Sequence, residues 1–232
     1  MLFAIGDLHL PGGQVKPMDV FGAHWENHFE RIRESWLRQV SGNDTVLIPG
    51  DISWAMQLED ALPDLMAIGE LPGRKILLRG NHDYWWSALG KVRAGLPEGM
   101  FAIQNDALVI DDTVVCGTRG WTLPQAGKTL PAEDEKIVRR ETIRLEMTLS
   151  TARRIAPDKK MVVMMHFPPF PEHQEPSCFT DLLERYGAAA CVYGHLHGAG
   201  AKYGFSGLLR GVQYQLVSCD SVNFEVQPVT LG

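Results

Sequence analysis

Asp7-x-His9, Asp51, Asn81-His82-Asp83, His166 and His195-x-His197 lie far apart in a sequence of 232 residues, yet each follows a short apolar run. Residues two apart on an extended segment point to the same side, so Asp7 with His9, and His195 with His197, can each present two donors to one ion. Carboxylate, imidazole and amide oxygen together suit Mn, Fe, Zn, Co or Ni, and suit neither a thiolate zinc finger nor an all-oxygen calcium loop. Gly6, Gly50, Gly80 and Gly194 precede four of these groups, where a chain that turns toward an ion and passes close to it needs a permissive backbone. His24, His28 and His173 fall outside the pattern and read as surface or helix-start residues.

Something must bring such scattered groups together. Leu2 to Ile5, Thr45 to Ile48, Lys75 to Leu78, Leu108 to Ile110, Val114 to Cys116, Met161 to Met165, Ala190 to Tyr193 and Tyr214 to Val217 read as buried strands. Between the first three, helical spacing runs over Trp25 to Val40, with Phe29, Ile32, Trp36, Leu37 and Val40 on one face, and over Leu58 to Glu70. The front half therefore reads β-α-β-α-β. Phe101 to Cys116 holds closely spaced strands with a polar link at Asp111-Asp112, which predicts a hairpin. A charged helix is predicted over Ala132 to Ile155, with Ile137, Ile143, Leu145, Met147 and Leu149 as its apolar positions. In an α/β fold the loops beyond the carboxyl ends of parallel strands converge on one crevice, and five of these strands end in metal-type ligands.

Composition narrows the partners. With 22 Lys and Arg against 28 Asp and Glu, the net charge of −6 offers no broad basic field for an extended nucleic-acid interface or an anionic membrane. No apolar run approaches the roughly 20 residues of a membrane helix, and Met1 to Ile5 is too short for a signal peptide, so a cytoplasmic location is expected. No linker or low-complexity stretch divides the chain, which reads as one domain over 1–232. The four cysteines lack CxxC pairing and read as structural thiols.

The ordered set Asp7-x-His9, Gly50-Asp51, Gly80-Asn81-His82-Asp83, His166 and Gly194-His195-x-His197 resembles the calcineurin-like metallophosphoesterase superfamily. With Trp54, Tyr84-Trp85-Trp86 and Gly117-Thr118-Arg119-Gly120-Trp121, the sequence is most similar to its small bacterial cytosolic phosphohydrolases. The resemblance implies an α/β fold, an αββα sandwich with a dinuclear metal site at the carboxyl edge of its sheets. It implies one ion on Asp7, His9, Asp51 and His197, the other on Asp51, Asn81, His166 and His195, and Asp51 between them. The cofactors would be two divalent or mixed-valence transition-metal ions, with Mn, Fe or Zn favoured. His82 would be the non-ligand histidine facing the substrate, protonating the leaving oxygen or stabilising phosphoryl charge. Asp83 would orient His82, or serve as a turn or helix-cap carboxylate.

Such a site would draw in a small phosphomonoester or phosphodiester and hydrolyse it by in-line attack of a hydroxide shared by the ions. The stretch Asp51-Ile52-Ser53-Trp54-Ala55-Met56 lacks the acid and arginine that protein Ser/Thr phosphatases of the superfamily carry there, which argues against that class. A catalytically silent binding scaffold and a nuclease acting on short DNA are the alternatives. Arg119 could fork onto a phosphate or form a surface salt bridge, and the aromatic residues pack or line the pocket. Phe167-Pro168-Pro169-Phe170-Pro171 reads as a stiff loop holding His166.

Overall fold

The computed structural model describes residues 1–13, 18–124 and 127–232. Its first sheet forms from β1 (Leu2–Ala4), β2 (Thr45–Ile48), β3 (Arg74–Leu78) and β4 (Met100–Ile103), all parallel, with β11 (Gln227–Pro228) antiparallel beside β1. Right-handed crossovers demand helices between parallel strands. These are α1 (His28–Gln39), α2 (Leu58–Gly69) and α3 (Leu89–Gly95).

The second sheet is ordered β5 (Ala107–Ile110), β6 (Thr113–Thr118), β7 (Lys160–Met165), β8 (Ala190–Tyr193), β10 (Val212–Leu216) and β9 (Gly207–Leu209). β6, β7, β8 and β10 run parallel, and β5 and β9 close the edges antiparallel. Its helices are α4 (Ala132–Ile155) and α5 (Cys178–Arg185). Ser177 caps α5, accepting from the amides of Phe179 and Thr180, while Thr180 Oγ1 accepts from the Ser177 amide.

Period-two alternation decides which side chain faces where. Ala4, Leu47, Ile76 and Leu78 turn toward Val115, Val162, Met164 and Val192 to form the layer between the sheets. Phe3, Val46 and Ile48 face outward onto Ile32, Trp36, Leu65 and Ile68 of α1 and α2. Cys116, Met161, Val163 and Cys191 do the same against Leu145, Leu149 and Phe179 of α4 and α5. The result is an αββα sandwich.

Three expectations need correction. The hairpin holds only for β5 and β6, since β4 pairs parallel with β3 and the chain changes sheet between Ile103 and Ala107. Along α4 the packed face is Glu141, Leu145, Thr148, Leu149 and Ala152, whereas Ile143 and Met147 are exposed, because they lie around the barrel of the helix from the sheet. Leu37 of α1 is likewise exposed, and that helix starts at His28 after a separate 3₁₀ turn over Ala23–Trp25.

Candidate metal centre

All nine residues singled out lie beyond the carboxyl ends of parallel strands. Asp7 and His9 follow β1, Asp51 follows β2, and Asn81, His82 and Asp83 follow β3. From the second sheet come His166 after β7, and His195 and His197 after β8. Asp7, His9, Asp51 and His195 adopt left-handed φ values of 58°, 46°, 52° and 73°. Each such non-glycine residue carries roughly 1–2 kcal/mol of strain, which the surrounding fold must hold.

The preceding glycines serve mainly close approach. A Cβ on Gly80 would stand 2.1 Å from Asp51 Oδ1, and one on Gly194 would stand 2.2 Å from Asp7 Oδ2. The two carboxylates therefore lie on bare backbone. Asp7 accepts the His195 amide through both oxygens at 3.0 Å, and Asp51 Oδ1 accepts the His82 amide at 2.8 Å.

The nitrogens and carboxylate oxygens then face one another without hydrogen bonds that would satisfy them all. His9 Nε2 is 3.3 Å from His197 Nε2, and His197 Nε2 is 3.4 Å from Asp7 Oδ1. Asp51 Oδ2 reaches both groups, lying 3.9 Å from His9 Nε2 and 3.5 Å from His166 Nε2. Asn81 Oδ1 sits 2.6 Å from His166 Nε2 and 2.9 Å from His195 Nδ1. Two ligands bound at ~2.1 Å in tetrahedral geometry stand about 3.4 Å apart, so these separations suit donors that share a cation. Asp7, His9 and His197 form one such group, and Asp7, Asp51 and His166 another.

Tautomers follow from the outer contacts. His166 Nδ1–H donates to the Pro49 carbonyl at 3.0 Å, which leaves Nε2 with its lone pair toward Asn81 and Asp51. His197 Nδ1–H donates to Asp220 Oδ1 at 2.8 Å, which turns Nε2 toward Asp7 and His9. Asp220, after β10, was not singled out from the sequence. A lone acid after an apolar run carries no motif, and only the parallel pairing of β10 with β8 brings it beneath His197. His28, read as a helix-start residue, also serves the centre, because its Nε2–H donates to the Leu8 carbonyl at 2.9 Å.

Electrostatics point the same way. Burial holds His9 and His195 down to about 3, so both rings are neutral and able to ligate. Burial, then repulsion from Asp7 and Asp83, pushes Asp51 up to about 9. Burial opposes ionisation of Asp7 as well, yet bonding and attraction from His197, with His166 and His9, hold its carboxyl well below the usual range. His197, despite burial, is lifted to about 10 by its bonds to Asp220 and Asp7. Protons on Asp51 and His197 thus occupy places that a cation would take.

Asp83 departs from its expected catalytic part. Its carboxylate accepts from the amides of Gly80, Asp51, Ile52 and Ser53 and from Trp85 Nε1, at 2.7–3.2 Å. Fully buried and committed to these donors, it ties the loop after β2 to the loop after β3 and does not bond the His82 ring. His82 itself has a buried Nδ1 with no partner among the described residues. Its ring lies 4.6 Å from Trp54, which stacks on His9 at 4.8 Å. His9, His82, His197, Trp25 and Trp54 border an open cleft of about 310 Å³. Thr122 and Leu123 line a second cleft, of about 250 Å³, beside His195, while residues 125–126 of the segment Trp121 to Leu130 lie outside the described residues.

A two-sheet sandwich with Asp, His and Asn donors gathered at its carboxyl edge suits a metal-dependent hydrolase of phosphoric esters, the class that the family match shows. The sequence model of the calcineurin-like phosphoesterases matches residues 2–199, and the chain belongs to that family, whose cofactors are divalent metal ions. No curated protein matches the chain. Among solved structures, the phosphopantetheinyl hydrolase PptH from Mycobacterium tuberculosis is similar at 17% identity and TM-score 0.56, over 94% of this chain and 88% of that one. A protein of unknown function, AQ665 from Aquifex aeolicus, is similar at 13% identity and TM-score 0.50, over 98% of this chain and 94% of that one. At such identities the likeness concerns the fold.

Proposed function

We propose that the chain, as one domain over 1–232, hydrolyses a small phosphomonoester or phosphodiester with two transition-metal ions, of which Mn, Fe or Zn are favoured. One ion would be held by Asp7, His9, Asp51 and His197, the other by Asp51, Asn81, His166 and His195. The observation that carries this reading is Asp51 Oδ2, within 3.5–3.9 Å of ligating nitrogens from both sets. When bound, the ions supply an activated water and charge for the phosphoryl oxygens.

The protein's own groups do the rest. Asp51 separates and aligns the two sides, and Asp220 fixes the His197 ring. Burial, with repulsion from His166, lowers the pKa of His82, which makes its ring neutral at pH 7. A neutral N–H suits hydrogen bonding to a phosphoryl oxygen more than full proton transfer. Trp54 and Trp25 wall the cleft beside His82 and His9. Attack in line with the leaving oxygen needs no side-chain nucleophile. Among the described residues, no helix is long and apolar enough to cross a membrane, and four free cysteines, three of them buried, accord with the proposed cytoplasmic location.

The test is hydrolysis of p-nitrophenyl phosphate and bis(p-nitrophenyl) phosphate by metal-stripped protein refilled separately with Mn, Fe, Zn and Co. Activity should fall below about 1% on stripping and return with at least one metal, and the ratio of the two substrates reports the ester class. Protein with two bound equivalents that turns over neither ester would leave the binding-scaffold alternative.

A further inference from the structure

In the first sheet β4 lies beside β3, and in the second β6 lies beside β7, so the loops after β4 and β6 flank the metal centre along the same edge. There a polar cavity of about 240 Å³ is lined by Arg79, Arg119, Arg140 and Arg144 around Glu141. Two of these arginines are built into the centre's own loops. Arg79 stands two residues before Asn81, at most roughly 7 Å along extended backbone. The Arg119 carbonyl accepts from the amides of His166 and Phe167 at 3.1 and 2.9 Å.

Glu141, 1% exposed, is the only acid lining the cavity among the described residues and is already engaged. Arg144 Nη1 donates to Oε1 at 2.6 Å, the Thr118 hydroxyl donates to Oε2 at 2.6 Å, and Arg140 Nε stands 3.8 Å away. Four guanidiniums against one carboxylate leave +3 in a chain of net −6. The Arg79 Nε is buried with no partner among the described residues, and Arg119 lies over the Trp121 ring at 4.8 Å and forms no ion pair within 4.0 Å among the described residues. Burial holds the Arg119 guanidinium below its ordinary range, with Glu141 opposing and Arg79, Arg140 and Arg144 adding to the effect. Half-buried guanidiniums left with spare N–H groups are a poor arrangement for stability and a good one for a forked anion.

We propose that this cavity is a second anion subsite, which holds a phosphate carried by the substrate away from the reacting ester. The enzyme would then prefer small esters bearing two phosphates over simple monoesters. The substrate preference rests on the phosphoesterase reading, whereas binding of the second phosphate does not require turnover.

The test is calorimetric titration of the metal-loaded protein with adenosine 3′,5′-bisphosphate and with ADP, against AMP as the single-phosphate control. One of the two doubly phosphorylated probes should bind at least about tenfold tighter than AMP. In Arg119→Gln and in Arg140→Gln that advantage should shrink to about threefold or less. The Arg140 side chain is half-exposed, so its substitution keeps the test open even where Arg119→Gln fails to fold. Equal affinity for all three probes, or an advantage that survives both substitutions, overturns the subsite. Turnover of p-nitrophenyl phosphate and of bis(p-nitrophenyl) phosphate by the same wild-type sample is read separately. Absence of both removes the hydrolase reading and leaves the affinity ratio to judge the cavity.

Discussion

His82 is the one imidazole at the centre whose removal should spare the metals, since its contacts there are ring contacts with Trp54 and His9 rather than convergence on the carboxylates. His82→Ala should lower kcat by about 10²–10³-fold with metal content unchanged, measured by ester turnover alongside elemental analysis. Full turnover in that variant would remove its proposed role. Asp220 acts one step further out. Asp220→Asn can no longer accept with full charge from His197 Nδ1–H, and metal affinity should fall about 10–100-fold, read by competition with a chelator. Gly194 tests the packing argument, because the Cβ of Gly194→Ala would stand 2.2 Å from Asp7 Oδ2 and push aside the carboxylate that the His195 amide holds. Metal content of that variant should fall well below wild type, and an intact centre would show that Asp7 has room to move.

The loops between strands and helices hold the arrangement, and Asp83 is their fastener. Asp83→Ala strands four backbone amides and an indole N–H, so the melting temperature should drop by the equivalent of about 3 kcal/mol or more, with metal lost in parallel. A purely catalytic Asp83 would leave the melt unchanged. The sequence marked Asp83 but left it between orienting His82 and serving as a turn carboxylate, because adjacency to His82 is visible in one dimension and the amides of the Asp51 loop are not. The strands with strong apolar runs, such as Thr45–Ile48 and Ala190–Tyr193, match their expected bounds. β9 and β11, at three and two residues, carry too little pattern to read, and they exist as edges added to partners already formed. On α4 the residues Ile143 and Met147 mislead because hydrophobicity was counted without the helix's facing direction. Glu141 is buried there, met by Arg144 and Thr118. The Asp, His and Asn positions were legible because glycine and spacing mark them, while Asp220 and the arginine cavity depend on sheet order.

At the scale of the molecule, two sheets each contribute one side of the centre, and its charge state couples to the stability of both. In metal-free protein His197 has a pKa raised to about 10 and Asp51 one raised to about 9. For His197 the stabilisation is complete below the unfolded value of 6.5 and is lost as pH rises toward 10. For Asp51 it is complete below 3.8 and is lost as pH rises toward 9. Metal-free protein should therefore melt at progressively lower temperature from pH 7 to 10, whereas loaded protein should not, since ions take the place of those protons. Thermal melts of both forms across that range check this, and a flat or rising metal-free curve would contradict it. The bond from the His195 amide to Asp7 spans 188 residues. At roughly 5–20 residues per second, a ribosome needs about 10–40 s to deliver the second partner after the first has emerged. Throughout that interval the Asp7 carboxylate lacks the amide that will hold it, so the proposed centre cannot close before the last sixth of the chain has been made.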